Sequence, residues 1–311
     1  MKVSYPQEMQ DWPLDAGFLG WLESWQRGLE ASTRAHKTIL IYRVAMTRLG
    51  KFVAWRYHQV DVLSITRQHI EEFLIFTVNT NHSAYTVSTY YQAINRFYKW
   101  LLEEGEIAVN PVEKIRTPKV PETDREVMSV EHITALIKSC DGNEFNQRRD
   151  AAIIRVLIDT GMRLSELTCV TLTDVDLKEK TIHIPKAKGG KNRDVPIGVK
   201  TAAALDRYLR KRATHKFVES ERLWVGKEGP LAAHTIYRMI DYRCKRTGLP
   251  HSFPHQFRHT FSHMWLADGG QEGDLKAIGG WTSDVMARYG RKLKGDRARE
   301  AHKKHSPGDQ F

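Results

Sequence analysis

Through the first hundred residues, apolar side chains recur every three to four positions. Phe18, Trp21, Leu22, Trp25 and Leu29 make one stripe; Ile41, Ala45, Leu49 and Phe52 make a second; Ile70, Phe73 and Leu74 mark a third. The fourth is the most regular, with Val87, Tyr90, Tyr91, Ile94, Phe97, Tyr98 and Leu101 running up to Gly105. This spacing puts the residues on one helical face and predicts a small four-helix domain whose aromatic rings pack in a core rather than stack on bases. Asn110-Pro111 and Pro118-Lys119-Val120-Pro121 then interrupt any helix, and a charged stretch follows over 122–126. The pattern predicts a helical domain over 1–117, a linker over 118–126 and a second domain over 127–311.

In the second region, helical patterns cover 129–138 and 149–160, the latter ending at Gly161 as a C-terminal cap. The period then shortens. Residues 175–177, 181–184 and 194–197 read as short strands, the last two joined through Lys186-Ala187-Lys188-Gly189-Gly190-Lys191, whose Gly-Gly suits a hairpin. Helical patterns return over 201–211, 235–246, 256–267 and 274–278. The expected fold class is mainly α: an N-terminal four-helix domain, then a mostly helical domain with a small antiparallel three-stranded sheet.

Composition narrows the function. A length of 311 residues favours two domains over one core. The formal net charge is +11, and it is uneven: residues 1–121 hold 14 basic and 12 acidic side chains, the remainder 34 and 25. Such a surplus favours a polyanionic partner, either nucleic acid or an acidic membrane surface. Cys140, Cys169 and Cys244 are odd in number and far apart, which argues against a disulfide framework or a cysteine zinc site and favours a reducing cytoplasm. No apolar run approaches the roughly 20 residues a membrane span needs, and the start Met-Lys-Val-Ser-Tyr-Pro lacks a signal-peptide core. A soluble, unsecreted protein is expected.

The candidate chemistry lies in the second region. His255 and Arg258, three residues apart in Pro254-His255-Gln256-Phe257-Arg258-His259-Thr260, share a helical face and can grip one phosphate together. In Gly161-Met162-Arg163-Leu164-Ser165-Glu166, Arg163 follows a helix end and suits bidentate phosphate contact, with Glu166 orienting it; an ordinary surface pair is the competing reading. Lys188, at the tip of the Gly-rich turn, can donate a proton to a leaving oxygen, with Lys186 and Lys191 as competitors. Tyr289, between Arg288 and Arg291, is a possible covalent nucleophile. His251, His255, His259 and His263 recur every four residues, but Gln256 stands where a zincin helix has its Glu, and no carboxylate cluster is nearby, so no metal is expected.

In this order, Arg163, Lys188, His255, Arg258, Trp281 and Tyr289 resemble the catalytic set of the tyrosine recombinases, the family of phage integrases and Xer-type resolving enzymes. Thr-Gly-Met-Arg-Leu-Ser-Glu-Leu, Lys-Gly-Gly-Lys-Asn-Arg, His-Gln-Phe-Arg-His-Thr and Gly-Gly-Trp carry the resemblance, which covers nearly the whole chain. It implies a core-binding, DNA-binding domain in front and a catalytic domain behind. It further implies that Arg163, His255 and Arg258 bind the scissile phosphate, that Lys188 is general acid toward the 5′ oxygen, and that Tyr289 forms a 3′-phosphotyrosyl bond, with Glu166 and His259 in support. Trp281 stands where most members have histidine; its indole can donate one hydrogen bond but cannot shuttle a proton. The implied activity is site-specific recombination of double-stranded DNA core sites by a tetramer, without cofactor or metal, in the cytoplasm: nucleoid-associated, or in the host if phage-encoded. The tail 291–304, with seven basic and two acidic residues, is implied to pack on a neighbouring protomer, although contact with DNA competes. With only about a dozen residues before the first stripe, no separate arm-type domain is expected. Trp281 and Tyr289 are eight residues apart where nine is common. Topoisomerase-like nicking and resealing, or DNA binding by a catalytically impaired relative, are the alternatives.

Overall fold

A computed structural model of the chain describes residues 5–58, 61–121, 126–185 and 192–281. The chain divides into two compact units, Met1–Thr123 and Asp124–Phe311. Among the described residues, no helix is long and apolar enough to cross a membrane.

The first unit is built from α1 (Gln7–Asp11), α2 (Ala16–Ala31), α3 (His36–Tyr57), α4 (Arg67–Asn79) and α5 (Ala84–Glu103). Side-chain caps start three of these helices, with Asp15, Thr66 and Ser83 accepting from the amides of Phe18, His69 and Thr86. The aromatic residues of the α5 stripe are buried, and Tyr98 donates to Val62 O at 3.1 Å while Tyr91 donates to Ile115 O at 3.0 Å. One stripe needs correction: Ile41 is exposed. Tyr42 fills that turn of α3 instead, its ring stacked 5.6 Å from that of Trp25, and Ile39 is the buried aliphatic one turn earlier. The short α1 carries too few apolar positions to be readable from periodicity.

The second unit contains α6 (Val130–Lys138), α7 (Phe145–Thr160), α8 (Leu164–Cys169), strands β1 (Val175–Asp176), β2 (Thr181–Ile184) and β3 (Arg193–Pro196), then α9 (Val199–Arg212), β4 (Val225–Gly226), β5 (Gly229–Pro230), α10 (Ala233–Thr247), α11 (Pro254–Ala267) and α12 (Glu272–Gly279). The three-stranded sheet runs β1-β2-β3, antiparallel throughout, with Ile182 opposite Val195. Its alternating Ile182, Ile184 and Val195 face the core. The second sheet, β4 with β5, was not expected; two-residue strands are too short to show a period.

Helix α7 starts four residues before the expected position. Its Arg149 and Asp150 are buried, which breaks the apolar pattern. Asp150 accepts from Arg149 at 2.8 Å and from Arg243 of α10 at 2.7 Å, so both charges are satisfied inside. The apolar core of this unit includes Ile153, Ile154 and Leu157 of α7 together with Leu205 and Tyr208 of α9.

Candidate active site

The site begins where α7 stops. Gly161 adopts a left-handed conformation, φ 57°, and its N–H bonds Leu157 O at 3.1 Å. A Cβ there would strike the ring of Phe261, so only glycine lets the chain turn this close to α11. Arg163 is then the N-cap of α8 and Glu166 sits in its first turn. Glu166 accepts the Arg163 backbone N–H at 2.8 Å and Arg163 Nη1 at 2.9 Å.

This is not a surface pair. The Glu166 side chain is only 1% exposed, whereas that of Arg163 is 48% exposed. A buried carboxylate of this kind needs more than one partner, and Arg193 of β3 supplies it. Its Nη2 and Nη1 reach Glu166 Oε2 and Oε1 at 2.8 and 3.2 Å. Burial pushes the Glu166 carboxyl up, but the Arg193 hydrogen bonds, the Arg163 amide, the Arg193 charge and the Arg163 side-chain hydrogen bond outweigh it and hold the group below its ordinary range.

Arg258 is buried on α11. Its Nη1 donates to Gly161 O and its Nη2 to Gly279 O, both at 2.7 Å, and its Cζ lies 3.8 Å from the centroid of the Trp281 ring. Trp281 in turn stacks on Phe261, with centroids 6.3 Å apart and planes 9° apart. The two glycines before Trp281 explain how the indole gets there. Gly280 closes α12 with φ 61°, and a Cβ on Gly279 would occupy the indole itself.

Three arginines distant in sequence therefore bond three successive carbonyls. Arg193 Nε donates to Ile278 O at 2.8 Å, Arg258 Nη2 to Gly279 O, and Arg163 Nη2 to Gly280 O at 3.1 Å. The carboxyl end of a helix is the favourable place for such cations.

His255 occupies the first turn of α11 behind Pro254 at N1, a position where helix amides and dipole favour an anion. It is exposed, one turn from Arg258; His259 is half-buried, with its ring 4.9 Å from that of His255 in an edge-on arrangement. The four-residue histidine repeat is not one helical stripe, because His251 precedes α11 and pairs with Asp241 of α10 at 2.9 Å. Among the described residues, no group of three His, Cys, Asp or Glu is arranged to hold a metal ion.

The structure thus brings together Arg163, Glu166, Arg258 and Trp281 and sets His255 and His259 on the same helix as Arg258. Lys188, with Lys186 and Lys191, and Tyr289 with the tail 291–304 lie outside the described residues. Residue type and spacing give Arg193 no role in the sequence. Its only signal was membership of Lys-Gly-Gly-Lys-Asn-Arg, since a contact spanning 27 residues cannot be read from spacing.

Residues 126–294 match the Phage integrase family, more than half of the chain, and residues 21–105 match the family described as Phage integrase, N-terminal SAM-like domain. The chain belongs to the phage integrase family of tyrosine recombinases. Among curated relatives, it is 28% identical over 197 residues to tyrosine recombinase XerC 2 of Ralstonia nicotianae, covering 60% of this chain and 57% of that protein. The match thus spans little more than half of that relative's length. Among solved structures, XerA recombinase is 26% identical with a TM-score of 0.52, covering 93% of this chain and 99% of that one. The Tn1549 transposon integrase in complex with transposon right end DNA shares the fold at a TM-score of 0.74, with 18% identity over 93% of this chain and 99% of that chain. In phage integrase terms, the mainly helical fold with its small antiparallel sheet is the family's own.

Proposed function

We propose that this protein is a site-specific DNA recombinase that breaks and rejoins strands through a 3′-phosphotyrosyl intermediate. The observation that carries the proposal is the convergence of Arg163 and Arg258, 95 residues apart, on the adjacent carbonyls of Gly279 and Gly280 beside Trp281. Guanidiniums oriented by such fixed acceptors are preorganised donors, and phosphoryl transfer asks a protein mainly for positioning and for positive donors around the equatorial oxygens. Membership of the phage integrase family and the likeness to an integrase in complex with DNA support the reading.

In this scheme Arg163, Arg258 and His255 hold the scissile phosphate, with Glu166 orienting Arg163 and His259 standing behind His255. The Tyr289 oxygen attacks phosphorus and releases its phenolic proton to solvent, the bond from phosphorus to the 5′ oxygen breaks, and Lys188 protonates that oxygen as it leaves. The new phosphotyrosyl ester keeps the energy of the old one, so a second 5′ hydroxyl can reverse the step. The scheme needs no metal or nucleotide. Trp281 shapes the site by lying against Arg258 and offers an indole N–H in place of a proton-shuttling imidazole. The first unit is assigned to core-site binding, residues 118–126 to the linker, the second unit to catalysis, and the tail to contact between protomers of a tetramer on DNA.

The test is incubation with a nicked duplex carrying the site this protein selects from a randomised duplex pool, read on a denaturing gel. A covalent protein–DNA adduct is expected, and it should vanish in Tyr289→Phe. An adduct that survives this substitution rejects the nucleophile; relaxation of supercoiled plasmid without recombinant product would assign nicking and resealing instead.

A further inference from the structure

Arg193 spends its whole guanidinium inside the protein. Nε bonds Ile278 O, Nη1 and Nη2 bond the two oxygens of Glu166, and the side chain is only 14% exposed. A Cβ placed on Gly280 would lie 3.0 Å from its Nη1, so it also abuts the turn whose carbonyl Arg163 holds. From these contacts we infer that Arg193 is a positioning residue for strand cleavage: through Glu166 it sets the orientation and free charge of Arg163, and through Ile278 it holds the turn that Arg163 and Arg258 share.

The inference rests on the reading of Arg163 and Arg258 as phosphate ligands, and charge balance gives its reason. Glu166 carries one negative charge between two guanidiniums, so the group of three keeps one net positive charge. The exposed member is Arg163, which therefore retains attraction for a phosphate. Without Arg193, Glu166 and Arg163 neutralise each other, and the carboxylate pulls on Arg163 alone. Among the described residues, the charged groups facing Glu166 are Arg163 from its own helix and Arg193 from β3. With Arg193 gone, the burial of Glu166 is opposed by one guanidinium instead of two, and its carboxyl moves upward. Lysine cannot substitute fully, because a single ammonium cannot fork across both carboxylate oxygens and reach Ile278 as well.

The experiment compares wild type, Arg193→Met and Arg193→Lys in the nicked-duplex assay, with single-turnover rates measured across pH, DNA affinity by gel shift and melting temperature in parallel. Misplacing a positioned group by an ångström costs on the order of 10²-fold in rate, and a loss of that order is expected for Arg193→Met, with Arg193→Lys intermediate and DNA affinity unchanged. The acid limb of the Arg193→Met rate profile should move to higher pH, as Glu166 protonates more readily. A residue that only stabilised the fold would lower the melting temperature and leave this profile in place. Wild-type rates in both variants, or slow cleavage with an unmoved acid limb, would overturn the inference while leaving the recombinase reading intact. If Arg193→Met does not fold, Arg193→Lys carries the same two comparisons. A wild-type protein that forms no adduct, or an Arg163→Ala variant that cleaves normally, defeats the phosphate clamp and this inference with it.

Discussion

Arg163 and Arg258 donate to consecutive carbonyl oxygens, those of Gly280 and Gly279, at 3.1 and 2.7 Å. The two are not equivalent. Arg258 is buried and also bonds Gly161 O, with Trp281 lying against its guanidinium, whereas the Arg163 side chain is about half exposed and is steered from one side by Glu166. One arginine is part of the scaffold and the other projects from it, so their substitutions should fail differently.

Arg163→Ala should abolish adduct formation and leave DNA binding close to wild type, with a moderate fall in melting temperature, because buried Glu166 loses one of its two guanidinium partners and keeps the other, Arg193. Arg258→Lys keeps the charge but cannot reach Gly161 and Gly279 together. It is expected to slow cleavage by about 10² to 10³-fold, the usual cost of one preorganised donor, and also to lower the melting temperature. Single-turnover adduct rates and thermal melts on the same preparations check both. Normal cleavage by either variant would contradict the clamp.

Glu166 predicts a pH dependence of stability. Its folded carboxyl lies below the ordinary value of 4.5, so it binds protons more weakly folded than unfolded. Its contribution is then fully present above 4.5 and is lost as pH falls through the depressed folded value. The stability difference between wild type and Glu166→Gln should narrow as pH is lowered below 4.5, which urea titrations at stepped pH will show. A constant difference across that range would mean that Glu166 carries no such linkage.

Gly279→Ala places a methyl group where the Trp281 indole lies. Overpacking of this kind costs about 1–3 kcal/mol, and the indole must leave the face of Arg258 to relieve it. Indole fluorescence would register the displacement, and the adduct rate should fall with it. Unchanged fluorescence together with unchanged stability would show that the turn accommodates the methyl.

Asp150 separates stability from chemistry. Asp150→Asn uncouples the buried guanidiniums of Arg149 and Arg243 and should cost about 3–5 kcal/mol, the range for breaking a buried ion pair. The side chains of Arg149, Asp150 and Arg243 bond one another, Val225 O and Ser139 O. Cleavage per folded molecule should therefore stay at the wild-type value, and a specific loss of rate would place α7's buried charges in the catalytic machinery.

Helices α2 to α5 of the first unit were legible because each buries one apolar stripe, and a period of 3.6 is written locally in the order of residues. The same holds for α6, α9 and α10, and for the glycine that ends α7. Periodicity failed where the interior is polar or the element short: Arg149 and Asp150 hid the start of α7, Ile41 was assigned to a core that Tyr42 fills, and α8 and the β4–β5 pair had no room for a repeat. The candidate site divides along the same line. Arg163, His255, Arg258, Trp281 and Tyr289 could be singled out from residue type, order and motif, since these are properties of the chain. That Glu166 is buried between two arginines, that Arg193 bonds both of its oxygens, and that three guanidiniums hold Ile278, Gly279 and Gly280 could not. Those facts depend on β3, α8, α11 and the end of α12 meeting in space, and a contact between residues 27, 21 or 117 positions apart leaves no periodic trace in a single chain.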